Sequence, residues 1–157
     1  MNTLTRLHLA LVLACAPVLV QADGACDHVR VDSAWVRQPP PGMTMTAGYF
    51  EIANTGPGTL EVHSIGSADF GTTMLHETMQ VDGAARMRHL PGITLAPGAR
   101  FSAAPGGAHL MLGEPRIDLA TAAQVGFSLH CADGSAHEVS APLLRAAPAA
   151  GDQPHHR

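Results

Sequence analysis

The run TMLHETMQVDGAARMRHL, residues 73–90, decides how this chain folds. Two segments that favour β-strand flank Asp82-Gly83, a dipeptide that strongly favours a two-residue β-hairpin turn. A turn of this kind pairs Val81 with Ala84 and so sets the register of the whole hairpin. The sequence therefore predicts two antiparallel strands joined at residues 82–83.

This register determines which side chains of the hairpin share a face. His76 lies opposite His89, and Thr78 lies opposite Met87. Because side chains alternate between the two faces of a strand, these four point the same way, and His76 and Met87 are diagonal neighbours. One face of the hairpin thus carries two imidazoles and a thioether.

The rest of the chain also consists of short segments that favour β-strand, separated by Gly, Pro, Asn and Asp. No stretch sustains the 3.6-residue apolar period of an amphipathic helix. This pattern predicts an all-β domain with two antiparallel sheets. The predicted strands lie within residues 29–37, 46–54, 60–67, 72–81, 84–90, 93–103, 108–112, 124–132 and 137–143.

The first residues predict export. Arg6 precedes the apolar run LHLALVLACAPVLV, and Val20-Gln21-Ala22 is a small-residue cleavage signal, so residues 1–22 are typical of a signal peptide. A lipid anchor on Cys15 is the alternative, disfavoured because this cysteine lies in the middle of the apolar run. We expect a periplasmic protein with no membrane span, one domain at residues 23–145, and a flexible His-containing tail at residues 146–157.

Charge and cysteine content limit the partners and the chemistry. Arg6 is one of nine basic residues, so the processed chain keeps eight against thirteen carboxylates, a net charge of about −5 that argues against nucleic acid and anionic membranes. Cys26 and Cys131 remain after processing, and an oxidising compartment favours a disulfide between them. A thiol redox or metal site is the alternative, but the two form no C-x-x-C motif.

A second pair of donors lies in AHLML, residues 108–112, where His109 and Met111 are two positions apart and share a face of the predicted strand. Thioether sulfur is a soft donor that selects Cu(I), and imidazole suits copper in either oxidation state. Together with His76 and Met87, these residues predict a Cu(I) site that needs no thiolate.

The spacing of these donors resembles that of the periplasmic PCuAC copper chaperones. Ten residues separate His76 from Met87, twenty-one separate Met87 from His109, and the motif ends in His-x-Met at Met111. The segments Ala47–Phe50 and Pro105–Met111 are also similar to the family, and the resemblance covers most of residues 29–142.

The resemblance implies a cupredoxin-like Greek-key β-sandwich that binds Cu(I) near its surface at those four residues. It further implies delivery of copper to the CuA-bearing subunit of cytochrome c oxidase, alongside a Sco-type thiol protein. His89 is a candidate additional ligand, because it shares the face of His76. His155 and His156, on the predicted tail, are candidates for binding Cu(II).

Three other functions are alternatives to a chaperone. An enzyme is not expected, because H-E-x-x-H, G-x-S-x-G and C-x-x-C motifs are missing. A cupredoxin electron carrier needs a cysteine thiolate with an axial Met, and no Met follows Cys131. A copper storage or scavenging protein would use the same ligands as a chaperone, so the sequence leaves that alternative open.

Overall fold

The computed structural model describes residues 23–148, and in this range it contains ten strands and one short 3₁₀ turn, Ala25–His28. The predicted signal peptide lies outside the described residues, as do residues 149–157 of the predicted tail, including His155 and His156. The strands are β1 Val29–Arg37, β2 Met45–Asn54, β3 Leu60–Gly66, β4 Phe70–Val81, β5 Ala84–His89, β6 Ile93–Leu95, β7 Arg100–Ala103, β8 Ala108–Pro115, β9 Gln124–Cys131 and β10 Ala136–Leu144.

The hairpin formed by β4 and β5 has the predicted turn and the predicted register. Asp82 and Gly83 both have positive φ, 53° and 77°, as a two-residue type I′ turn requires. His76 pairs with His89, and Thr78 pairs with Met87. The prediction from the Asp82-Gly83 dipeptide is therefore confirmed.

The strands form one hydrogen-bonded series that folds over itself into two layers. Its order is β5-β4-β8-β7-β2-β1-β10-β9-β3-β6, and the neighbours β1 and β10 are parallel. Phe50 of β2 and Phe127 of β9 lie three strands apart in this order, yet their ring centroids are 5.5 Å apart. The first layer, β5-β4-β8-β7-β2-β1, therefore packs face to face on the second layer, β10-β9-β3-β6, and the all-β, cupredoxin-like sandwich is confirmed.

Alternate residues of β4 and β8 anchor the first layer in the core. Leu75 pairs with Leu110 across the two strands, and both are buried, as is Leu112. Burying a leucine side chain stabilises a fold by roughly 1.5–3 kcal/mol. Because side chains alternate, the residues between these leucines are directed to the opposite face of the layer.

The structure differs from the sequence expectation at residues 93–103, which form two strands rather than one. β6 pairs with β3 in one layer, whereas β7 pairs with β2 in the other. Between them the chain turns at Ala96–Ala99, where the Ala99 N–H donates to the Ala96 carbonyl at 3.0 Å and Gly98 has φ 75°. Pro97-Gly98 marks this turn in the sequence, since Gly readily adopts positive φ.

Cys26 and Cys131 form a disulfide across a sequence separation of 105 residues, and both are fully buried. Nearby, the Ala25 N–H donates to the Asp133 carboxylate at 2.6 Å, and this hydrogen bond is the main reason that the pKa of Asp133 falls to about 2. The disulfide and this hydrogen bond together hold the 3₁₀ turn against the end of β9. Within residues 23–148, no helix is long and apolar enough to cross a membrane.

Replacing both cysteines, as Cys26→Ala with Cys131→Ala, is expected to lower the free energy of unfolding by about 2–5 kcal/mol, because the unfolded chain loses a long cross-link. Chemical denaturation followed by circular dichroism measures this change. Wild-type protein treated with a reductant is the control and should unfold at the same denaturant concentration as the double variant. Equal stability of oxidised wild type and variant would contradict the expectation.

Candidate metal centre

Three histidines form a row across neighbouring strands of the first layer. His76 on β4 pairs with His89 on β5 and, on its other side, with His109 on β8. The ring centroids are 5.7 Å apart for His76 and His89 and 6.1 Å apart for His76 and His109. Two imidazoles that share one metal ion, with metal–nitrogen bonds of about 2.0 Å, have ring centres roughly 5 to 6.5 Å apart.

The two predicted thioether ligands lie on different sides of this row. Met111 is two residues beyond His109 on β8 and is half-buried. Met87 is two residues before His89 on β5 and is 58 % exposed. The structure therefore brings His76, His109 and Met111 together, whereas Met87 is a diagonal neighbour of His76 that lies away from His109 and Met111.

His109 is held in one orientation by the loop before β8. The residue is 9 % exposed, and its ring Nδ1 lies 3.1 Å from the Gly107 carbonyl oxygen. A carbonyl oxygen only accepts, so Nδ1 carries a proton, and Nε2 is the nitrogen that the neutral ring can offer to a metal. A backbone acceptor on the second nitrogen is the usual way in which a protein orients a metal-binding histidine.

The Nδ1 atom of His76 is buried and has no hydrogen-bond partner among residues 23–148. Leaving a polar atom buried without a partner is costly, so this nitrogen favours a ligand that could accept its lone pair. Burial lowers the pKa of His76, and proximity to His89 and His109 lowers it further. The ring is therefore neutral at pH 7, which is the form that binds a metal.

The row of three histidines does not form a metal site from nitrogen and oxygen donors alone. In residues 23–148, no group of three or more His, Cys, Asp or Glu side chains is arranged to hold a metal ion. Glu77, the carboxylate closest in sequence to His76, forms an ion pair with Arg88 at 2.7 Å on the other face of the hairpin. Apart from the Thr78 hydroxyl, the donors on the face of His76 are imidazoles and thioethers.

A family model matches most of the described chain. The model is described as "Putative lipoprotein LpqE-like", and it matches residues 29–143. The chain belongs to the LpqE-like family. A relative from Leifsonia xyli subsp. xyli (strain CTCB07), "Putative lipoprotein Lxx21020", is 35 % identical over 129 residues, which cover 81 % of this chain and 76 % of that protein.

Solved structures of PCuAC domains have the same fold. The "Copper-bound PCuAC domain from PmoF2" superposes with a TM-score of 0.60 at 20 % identity and covers 78 % of this chain and 97 % of its own. Apo-DR1885 from Deinococcus radiodurans gives 0.60 at 23 % identity and covers 93 % and 97 %. The resemblance predicted from the spacing of His76, Met87, His109 and Met111 is thus confirmed for the fold.

One donor on the same face was not predicted. Met74 pairs directly with Met111, lies two residues before His76, and is half-buried. Its separation from His76 indicates the shared face, but its position next to Met111 depends on the pairing of β4 with β8. That pairing joins segments more than thirty residues apart, and no turn connects them, so the sequence alone does not predict it.

The pKa of His76 is expected to lie below its ordinary value of about 6.5 in the metal-free protein, and His89→Gln should raise it by removing a neighbouring charge. In the unfolded chain this histidine binds protons more readily. The stability that a neutral His76 contributes is therefore present above about pH 6.5 and is lost as the pH falls through its folded pKa.

Titration of the histidine ring signals by NMR, with a chelator present, measures this pKa. His137→Gln is the matched control because His137 lies on β10 in the other layer, and it should leave the pKa of His76 unchanged. A His76 pKa at the ordinary value and insensitive to His89→Gln would show that burial and the neighbouring rings have no effect.

Proposed function

We propose that this protein is an exported Cu(I) carrier that binds one ion through His76, Met87, His109 and Met111 and passes it to another protein. The observation that carries the proposal is the cross-strand pair of His76 and His109, with an unpartnered Nδ1 on one ring and a fixed orientation on the other. Two imidazoles are thus presented beside a thioether, Met111.

The chemistry of these donors favours Cu(I) over other metal ions. Thioethers bind soft ions, and they compete poorly for Zn²⁺, Mg²⁺ or Ca²⁺. Cys26 and Cys131 are joined in a disulfide, so neither supplies a thiolate. A thioether site keeps its ligands in an oxidising compartment, where a pair of free thiols tends to be oxidised.

The exposure of Met87 supports transfer rather than permanent binding. Every residue of β5 is exposed, and among the described residues this strand pairs with β4 alone, at the end of the sheet. A ligand on such a strand can leave the metal while an acceptor binds, which lowers the barrier to exchange. A structural or storage site would gain more from enclosing all its donors.

The proposed acceptor is the CuA-bearing subunit of cytochrome c oxidase, with a Sco-type protein acting beside it. Support comes from the fold shared with PCuAC domains, one of which is described as copper-bound. Storage or scavenging without a dedicated acceptor is the second candidate. A cupredoxin electron carrier is disfavoured because Cys131 is consumed by the disulfide, and the proposed role is that of a carrier rather than an enzyme.

Export is part of the proposal and is supported by the relatives. Both the family model and the Leifsonia protein are described as lipoproteins, which are exported proteins. We favour a periplasmic protein released after Ala22. The same descriptions support the alternative of a lipid on Cys15, the cysteine of the apolar run.

The reduced protein is expected to bind one Cu(I) in competition with a chromophoric Cu(I) chelator. Met87→Ala combined with Met111→Ala should bind it at least about tenfold more weakly, because two soft donors are lost. Met79→Leu is the control, since Met79 lies on the opposite face of β4 and its replacement should not change the affinity. Equal Cu(I) affinity of the wild type and the double variant would contradict the proposed ligands.

The loaded protein is then mixed with a metal-free CuA domain. Appearance of the CuA absorption, after oxidation to the mixed-valence state, identifies a chaperone for that centre. Retention of copper by the carrier, at acceptor concentrations where free Cu(I) metallates the domain, would identify a storage protein instead.

The N-terminus of the exported protein is expected to be Asp23, because cleavage after Ala22 leaves this residue first in the chain. Intact-mass spectrometry of the protein purified from a secreting host measures it. Cys15→Ser is the control and should leave the mass unchanged, since Cys15 is removed with the signal peptide. A mass equal to that of a chain that begins at Cys15 and carries acyl groups would show a lipoprotein.

A further inference from the structure

We propose that Met74 is a Cu(I) ligand, and that it and Met87 hold the same coordination position in turn as copper is passed on. The inference rests on the proposed function and adds a residue outside the predicted set. It follows from the pairing of β4 with β8, which the sequence did not reveal.

Four donors form a compact group on the outer face of β4 and β8. His76 pairs with His109, and Met74 pairs with Met111 in the next row of the same face. Directly opposed residues have Cβ atoms about 4.5–5.5 Å apart, and diagonal ones roughly 7–8 Å apart. Two imidazoles and two thioethers therefore surround one point, so a single ion above it is within reach of all four.

Met87 does not belong to this group in the structure. It pairs with Thr78, whereas Met111 pairs with Met74, four residues away along β4 and on the other side of that strand. In a regular sheet, the Cα atoms of Met87 and Met111 would lie about 17 Å apart. Both thioethers can bind one ion only if β5 bends toward β8.

The surroundings of the two methionines suit different tasks. Met74 is half-buried on β4, directly opposite Met111 of β8. Met87 is 58 % exposed on the last strand of the sheet. Met74 thus provides an inner thioether that keeps copper bound when Met87 moves to meet an acceptor or release the ion.

The test counts sulfur neighbours of bound Cu(I) by X-ray absorption in leucine variants, which preserve side-chain volume. Met87→Leu should keep two sulfur neighbours, from Met74 and Met111. Met74→Leu combined with Met87→Leu should keep one and lose Cu(I) affinity by roughly tenfold or more. Met79→Leu combined with Met87→Leu is the matched control and should behave like Met87→Leu alone.

Methionine methyl signals in the NMR spectrum provide a second readout. One equivalent of Cu(I) should shift the methyl group of Met74 in the Met87→Leu variant and leave that of Met79 in place. A single sulfur neighbour in Met87→Leu, with an unmoved Met74 methyl, overturns the inference and leaves the predicted set intact. Failure of the wild type to bind Cu(I) overturns the proposed function as well.

Discussion

The central position of β4 is the constraint on which the rest of the site depends. His76 pairs on one side with His89 and on the other with His109, so a single strand sets the positions of donors from three segments of the chain. Leu75, one residue away, is buried against Leu110 and fixes that strand to the core. A slip of one residue would bury His76 and expose Leu75, so core packing maintains the register of the donors.

The hairpin could be predicted from sequence because its information is local. Asp82-Gly83 specifies a turn with two positive φ angles, and the opposition of His76 to His89 follows from it. The approach of β8 to β4 could not be predicted in the same way, because it depends on burial of Leu75 and Leu110 in a core built by the whole domain. For this reason the sequence identified His109 and Met111 as donors but did not identify Met74.

The family model and the solved structures give different information about this chain. Residues 29–143 match the LpqE-like model, and the PCuAC domains share the fold at 20–23 % identity. Neither observation bears on a particular side chain. The case for copper comes instead from the donors themselves: an unpartnered Nδ1 on His76, a proton held on Nδ1 of His109, and thioethers where carboxylates would favour a harder ion.

The route of the chain between Met87 and His109 has an evolutionary consequence. After β5 the backbone crosses to the opposite layer as β6, returns as β7, and only then enters β8. The ten-residue interval before Met87 is fixed by hairpin geometry, since an insertion there would change the pairing. The twenty-one-residue interval includes the turn at Ala96–Ala99, where the Asn54 N–H of β2 donates to the Ala99 carbonyl and the Gly98 N–H donates to the Asn54 carbonyl. An insertion in either interval would therefore have to preserve backbone pairing, which favours constant spacings among homologues that build the same centre.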